Sequence, residues 1–362
     1  MPEEIVLEQI RRTQEKEGLR PHENARGVVV PKTTGQPVSE VQALTKRDGS
    51  GAPAYYDVPM LKPPVWKWEI ANYFFLEGVS AGAFLLARLA ERFGGGRYRD
   101  VTRAGTIVAA ATFAPCPALL IKDLGDPKRF HYMLRVFKPG SPMNLGAWTL
   151  TGYGAFMSAA AFREWYRNAA GEPEGRLAKA ADSTIGIASD AIGIPLAILL
   201  AGYTGVLLST SNTPLWARNP WIGPLFGVSA MSTGAAATRL LLRSKHRNVT
   251  EKPLERVESV GRMAEAATLA GYLASAGTLA APLTKGRYAA HLWGGVVGAG
   301  LVASTVAETV AKRYKKASPF LKLAGAALTL VGAYALKWAM VHAGPPSAKD
   351  PKANREMSRA SR

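Results

Sequence analysis

Residues 68–90 read WEIANYFFLEGVSAGAFLLARLA, and this stretch decides the fold. As a helix it spans about 34 Å at 1.5 Å per residue, enough to cross a hydrocarbon layer of roughly 30 Å. Seven further apolar blocks follow at 104–121, 145–163, 184–208, 221–242, 260–282, 289–311 and 320–342. The 362-residue chain is 48% hydrophobic and only 20% charged, and its apolar residues are gathered into blocks rather than spread as two soluble cores would need. The sequence therefore predicts an all-α, polytopic membrane protein. It divides into an extended polar N-terminal arm (1–66), an eight-helix transmembrane domain (67–343) and a polar C-terminal tail (344–362).

The arm carries acids and bases in near balance, many prolines and turn-like runs such as KRDGSGAP, with a short helix hinted only at Ile5 to Arg12. Such a segment orders on a partner rather than around a core of its own. It has no basic region followed by an apolar one, so the first hydrophobic helix is expected to do the targeting. Cys116 is the only cysteine, which excludes a disulfide scaffold and a cysteine-ligated cluster or zinc site within the chain. The net charge of +18 points first to nucleic acid, but its distribution reads as topology. Connections after blocks 1, 3, 5 and 7 hold 21 Lys/Arg, and those after blocks 2, 4 and 6 hold 8. The positive-inside rule places the first set in the cytoplasm and both termini outside.

Small residues run through the blocks, as in Gly78 to Gly82 (GVSAG) and Gly294 to Gly298 (GGVVG), where they permit close helix contact. Pro115, Pro117, Pro195 and Pro224 are expected to kink helices rather than break them. Paired haem needs four histidines on facing helices, and only His291 and His342 touch the blocks, so they read as interfacial. Ionisable residues within helices are costly. Glu77, Asp190, Glu265 and Glu308 are the inward candidates, the last two near charged ends where solvent can reach them. Helical spacing puts Tyr73, Glu77 and Ser80 on one face with Asn72 beside it. That stripe can hydrogen-bond a head group and pass a proton, or it can hold helices together. Between blocks 2 and 3, the run Asp123, Gly125, Asp126, Pro127, Lys128, Arg129 and His131 precedes an amphipathic LRVF segment. Its basic residues fall on the outer side, against the topology rule, and suggest a docking surface.

Three stretches carry a resemblance: WKWEIANYFFLEGVSAGAFLLA (66–87), DLGDPKRFHYMLRVFKPGSPMNLGAWTLTGYG (123–154) and AGYTGVLLSTS (201–211). They resemble the NrfD/polysulfide reductase membrane-subunit family, over roughly 65–345. The resemblance implies an eight-helix quinone-binding anchor in a bacterial or archaeal cytoplasmic membrane, without haem or metal of its own. It implies a ferredoxin-like iron–sulfur subunit and a molybdopterin catalytic subunit as partners, and menaquinone or ubiquinone as cofactor. It points to Asn72 and its neighbours and to Tyr203 as quinone-binding, and to the loop at Asp123–Pro127 as the part that meets the iron–sulfur subunit. Glu77 departs from the glycine common in relatives, and so long an N-terminal arm is unusual among them.

A quinone site needs hydrogen-bonding groups for the ring oxygens, an apolar slot and a proton path. Asn72, Tyr73 and Tyr203 supply the first. Trp66, Trp68, Phe74 and Phe75 can wall the ring or form the aromatic belt. Glu77 lies roughly 7.5 Å deeper than Asn72, and Asp190 roughly 20 Å from Tyr203, along their helices. If both face the interior they make a stepped proton route from the cytoplasm. Two other readings stay open: a secondary transporter, weakened because 68–208 and 221–342 show no repeat of the DLGDP loop or the YTG end, and a purely structural anchor.

Overall fold

The computed structural model describes residues 22–23, 29–30, 61–171, 173–242, 247–314 and 318–360. The chain separates into two compact units, Met1–Pro59 and Met60–Arg362. Of the first, only a two-residue antiparallel pair is described, β1 (His22–Glu23) with β2 (Val29–Val30), in the register His22 to Val30 and Glu23 to Val29. The helix hinted at Ile5 to Arg12, like most of the arm, lies outside the described residues.

The second unit is helical among the described residues. In order it holds α1 (Trp68–Gly94), α2 (Arg99–Phe113), α3 (Cys116–Asp123), α4 (Pro142–Ala170), α5 (Arg176–Ala188), α6 (Ile194–Ser209), α7 (Ile222–Leu241), α8 (Arg247–Ala276), α9 (Ala281–Thr284), α10 (Ser304–Arg313), α11 (Ser318–Lys349) and α12 (Pro351–Ala360). A π-helical turn at Ser189–Gly193 joins α5 to α6, and a longer π-helical stretch, His291–Ala303, leads into α10. Among the described residues, five segments are long and apolar enough to cross a membrane: Trp68–Asp123, Arg176–Ser209, Glu251–Thr284, His291–Arg313 and Pro319–Lys349. The first holds α1 and α2 folded back on each other, since Ser80 bonds Ala109 and Thr102 bonds Ala87 across the pair.

Small residues set the packing, because without a hydrophobic drive between helices in lipid, close backbone approach supplies the attraction. A Cβ at Gly82 would run into the Ala230 carbonyl, and one at Gly234 into the backbone of Gly82 and Ala83, so α1 and α7 touch backbone to backbone. Gly205 meets Ile222 between α6 and α7, and Gly300 meets Gly332 between the π-helical stretch and α11. The core between these contacts is aromatic as well as aliphatic, with Phe74, Phe84, Tyr153, Phe226, Tyr272 and Trp216 fully buried or nearly so.

Four expectations change. Block 2 breaks at Ala114–Pro115 into α2 and α3 rather than kinking, because each proline removes a backbone donor and two lie within three residues. The tail is helical, as the end of α11 to Lys349 and as α12 from Pro351, and it packs on the bundle: Ser347 Oγ accepts from the Leu215 amide at 3.0 Å, and Glu356 accepts from Thr278 Oγ1 at 2.6 Å. Glu265 and Glu308 are buried rather than in contact with solvent. Arg88, Arg239 and Arg262, which stand among the loop charges when the sequence is read for topology, are buried in ion pairs with Asp190, Glu258 and Glu308.

Candidate functional site: an apolar cavity at the start of the first helix

A cavity of about 500 Å³ opens where the starts of α1 and α4 meet the end of α6. Trp66, Ile70, Tyr73 and Phe74 form one wall, Phe113, Pro117 and Leu120 a second, and Met143, Gly146, Leu150 and Tyr203 a third. Phe130 and Met133 roof it from a 3₁₀ turn, Pro127–Leu134. The lining is almost wholly apolar, with Asp123 its one carboxylate. Volume and lining match the sites that take small ring-bearing ligands, in which a few polar groups orient an otherwise apolar guest.

Local sequence explains each wall. Ser141 caps α4 through a bond from the Asn144 amide, and Pro142 follows where a helix tolerates proline. Asn144 then staples the preceding loop: its side chain accepts from Lys138 N at 2.7 Å and donates to Met133 O at 2.6 Å and Val136 O at 3.0 Å. Tyr203 leans on Gly146, where a Cβ would strike the phenol ring, and its hydroxyl donates to the Pro142 carbonyl. A phenol has one proton, so in this arrangement Tyr203 offers a ligand its lone pair, and it donates only after turning away from Pro142. Trp66 is held by a stack on Trp216 at 5.5 Å and an edge contact with Phe74 at 6.3 Å, and Trp216 Nε1 bonds Met340 O at 3.0 Å.

Of the residues singled out in the sequence, Tyr73, Tyr203 and Asp123 share this cavity. Asn72 and Trp68 are not among its lining: the Asn72 amide turns back to Trp68 O at 2.8 Å, and Trp68 is exposed under the Lys122 ammonium, 4.3 Å from its ring. Phe74 lines the cavity, whereas Phe75 packs edge-on against Tyr334 at 5.3 Å. Glu77 sits one turn below Tyr73, fully buried; the Tyr73 phenol is the polar group in reach of it, and neither carboxylate oxygen meets a partner at full hydrogen-bond geometry. Asp190 is bound to Arg88 at 2.7 Å, among the ion pairs at the far ends of α1 and α4. Gly125, Asp126, Pro127, Lys128, Arg129 and His131 are exposed beside the cavity, with Asp126 paired to Arg129 at 3.0 Å. Among the described residues no group of three or more His, Cys, Asp or Glu is placed to hold a metal ion.

Sequence reasoning passed over Asn144, Gly146 and Phe113. For Asn144 the signal is present, since S-P-x-N just before an apolar run marks a capped helix start. Nothing local marks Gly146 or Phe113, whose roles depend on a helix distant in sequence.

The family profile described as "Polysulphide reductase, NrfD" matches residues 58–345, which contain the whole cavity. The protein is similar to the C subunit of polysulfide reductase from Wolinella succinogenes, 29% identical over 300 residues that cover 77% of this sequence and 94% of that one. It is also similar to protein NrfD of Escherichia coli, 26% identical over 305 residues, 77% of this sequence and 95% of that one. A protein NrfD homolog of Haemophilus influenzae is 29% identical over 200 residues, 52% of this sequence and 62% of that one. Together with the apolar helices, these matches make the protein a multi-pass integral membrane protein. With a profile spanning most of its length and relatives aligned from end to end, the chain belongs to the NrfD polysulphide reductase family.

Proposed function

We propose that this protein is the quinone-binding membrane anchor of a multi-subunit oxidoreductase, exchanging electrons between a partner's iron–sulfur clusters and menaquinone or ubiquinone in the membrane. The observation that carries the reading is the apolar cavity walled by Tyr73, Tyr203 and Trp66 beside an exposed loop, in a member of this family. The polar groups suit a quinone: the Tyr73 phenol stands at the cavity, Tyr203 can accept from a quinol hydroxyl while bonded to Pro142 or donate to a quinone oxygen after turning from it, and Trp66, Phe74 and Phe113 can sandwich a flat ring. A bound quinone supplies a carrier for two electrons and two protons. The protein's own residues bind and orient it: Tyr203 is aimed by Pro142 and Gly146, Tyr73 by its place on α1, and the 3₁₀ roof keeps water from the ring. Asn72 and Trp68 share the first turns of α1 with the lining residues Ile70 and Tyr73 but stand outside the lining.

The exposed loop from Asp123 through His131 fits a docking surface for a ferredoxin-like subunit, with a molybdopterin catalytic subunit beyond it, because it stands beside the cavity and brings donor and acceptor close. Each of the eight apolar blocks is helical over most of its length, the second with its break at Ala114–Pro115, which supports eight crossings. The positive-inside bias supports a cytoplasmic-membrane location with both termini outside.

The test is turnover of the purified complex with a soluble quinone analogue. Tyr73→Phe and Tyr203→Phe should assemble with the partners and lose most of the turnover. A wild-type complex that neither retains a quinone on extraction nor turns one over would overturn the reading.

A further inference from the structure

Below the cavity, the middle of the bundle holds three ionisable side chains shut off from solvent: Glu77 on α1, Lys337 on α11 and Glu265 on α8, exposed by 0%, 3% and 4%. Lys337 Nζ has no hydrogen-bond partner and lies over the Phe226 ring of α7, 3.3 Å from its centroid. The two charges that act on it are Glu265 and Glu77. Glu265 is met by serine hydroxyls of α7 rather than by a cation: Ser232 donates to it at 3.4 Å, with Ser229 beside it. A structural ion pair in an apolar interior closes its geometry with hydrogen bonds, because an unmet charge there is costly. In the nearby group of Arg239, Arg262, Glu258 and Glu308 every charged side chain has a hydrogen-bonded counter-charge, with Arg262 bonded to both acids and to Thr329, although Arg239 Nε and Arg262 Nε are left without a hydrogen bond. Lys337 has no hydrogen-bonded counter-charge. A cation resting on a ring face, with two carboxylates acting on it and a hydrogen bond to neither, is loosely held, and its flexible stem lets its three donors turn.

These groups form a column. Tyr73 lines the cavity, and Glu77 is one turn, roughly 6 Å, further along α1. Lys337, fully buried on α11, feels the charges of both Glu265 and Glu77. Glu265 is roughly 4.5 Å along α8 from Arg262, in the ion cluster whose outermost pair, Lys322 with Glu255 at 2.6 Å, is partly exposed.

We infer that Glu77, Lys337 and Glu265 are a proton relay joining the cavity to the opposite face of the bundle. Only O–H and N–H bonds change. Lys337 gives a proton to Glu77, which passes it to Tyr73 as Tyr73 releases its own into the cavity; Lys337 regains one from Glu265, and Glu265 takes one up from the side where Lys322 and Glu255 are partly exposed, so the relay returns to its starting charge. Run backward, the same steps carry protons released by a quinol. The inference rests on the quinone reading, since it needs proton-coupled chemistry in the cavity, with electrons supplied by the partner's iron–sulfur clusters.

The experiment uses the whole complex in lipid nanodiscs, with a soluble quinone analogue and its quinol, in H2O and in D2O. Lys337→Arg keeps a cation that does not release its proton, and Glu265→Gln keeps shape without an exchangeable carboxyl. A relay predicts that each variant assembles and keeps its half-saturating quinone concentration, loses about a hundredfold in turnover, and slows further in D2O than wild type. Wild-type turnover with an unchanged isotope effect in Lys337→Arg would show a fixed structural charge and overturn the relay. So would failure of both variants to assemble. A wild-type complex inactive toward quinone would overturn the cavity's assignment and the relay with it, whereas active wild type with unaffected variants overturns the relay alone.

Discussion

The buried ion cluster around Arg239 and the Lys337 group both set basic side chains among glutamates inside one bundle, yet every charge in the first has a hydrogen-bonded counter-charge and the cation of the second has none. Arg239 binds Glu258 and Glu308, Arg262 binds both again, and Thr329 donates to Glu258 at 2.7 Å. Lys337, by contrast, has two acids near it and a hydrogen bond to neither. Guanidinium groups, with five donors in a planar fork, tie four helices together, whereas an ammonium on a flexible stem can be left to move. Closure therefore reads as structure and openness as proton traffic.

The largest effect should come from breaking the closed group. Arg239→Ala leaves Glu258 and Glu308 short of a partner among buried residues, and removing one member of a buried pair costs about 3–5 kcal/mol. We expect little protein to be recovered from mild detergent, with a sharply lowered unfolding midpoint by thermal denaturation. Recovery at the wild-type level would mean the cluster is not what holds α7, α8, α10 and α11 together.

A smaller loss is expected from Gly82→Ala, which sharpens the same comparison by moving the helix that carries Glu77. The new methyl would meet the Ala230 carbonyl, and backbone cannot swing aside as a side chain can. Overpacking of this kind costs about 1–3 kcal/mol. The unfolding midpoint should fall while the Arg239 cluster stays intact, and quinone turnover should fall with it as α1 shifts from α7. Gly146→Ala acts at the other end of the column, where the methyl would push Tyr203 off its seat against Pro142. That hydrogen bond contributes about 1 kcal/mol. A modest fall in the midpoint with a raised half-saturating quinone concentration is the expected pair of readings.

How far the sequence discloses this division differs by residue. Glu77 is visible because its neighbours at helical spacing are polar or aromatic on one face. The apolar blocks are visible because length and composition alone separate membrane helices from soluble ones. Lys337 stands in plain view inside ALKWAM, an apolar run, and the cost of a charge in a membrane helix is itself a signal of function. Attention to acids alone passes it by. Arg239 and Arg262 mislead in the other direction, since near a block end a buried arginine and a loop arginine look alike until the partners on α8 and α10 are known. Asn144 and Gly146 do their work through a loop and a tyrosine that only folding brings near.

The smallest effect separates two proton routes. Asp190 is a natural partner for Glu77 when the fourth block is read alone, an acid in an apolar helix. In the bundle it belongs to a third ion group, with Arg88, Glu91, Arg163, Arg167 and Asp182, at the ends of α1 and α4 away from the cavity. Asp190 is about a quarter exposed, and Arg88 keeps Glu91 and the Gly186 carbonyl at 3.2 Å when the aspartate is neutralised. A partly exposed pair of this sort contributes up to about 1 kcal/mol. Asp190→Asn should therefore shift the unfolding midpoint by little and leave quinone turnover near wild type, since the column through Lys337 bypasses it. A loss of turnover in Asp190→Asn as deep as in Glu265→Gln, with stability unchanged, would place the proton entry on the Arg88 side and leave Lys337 as a fixed charge.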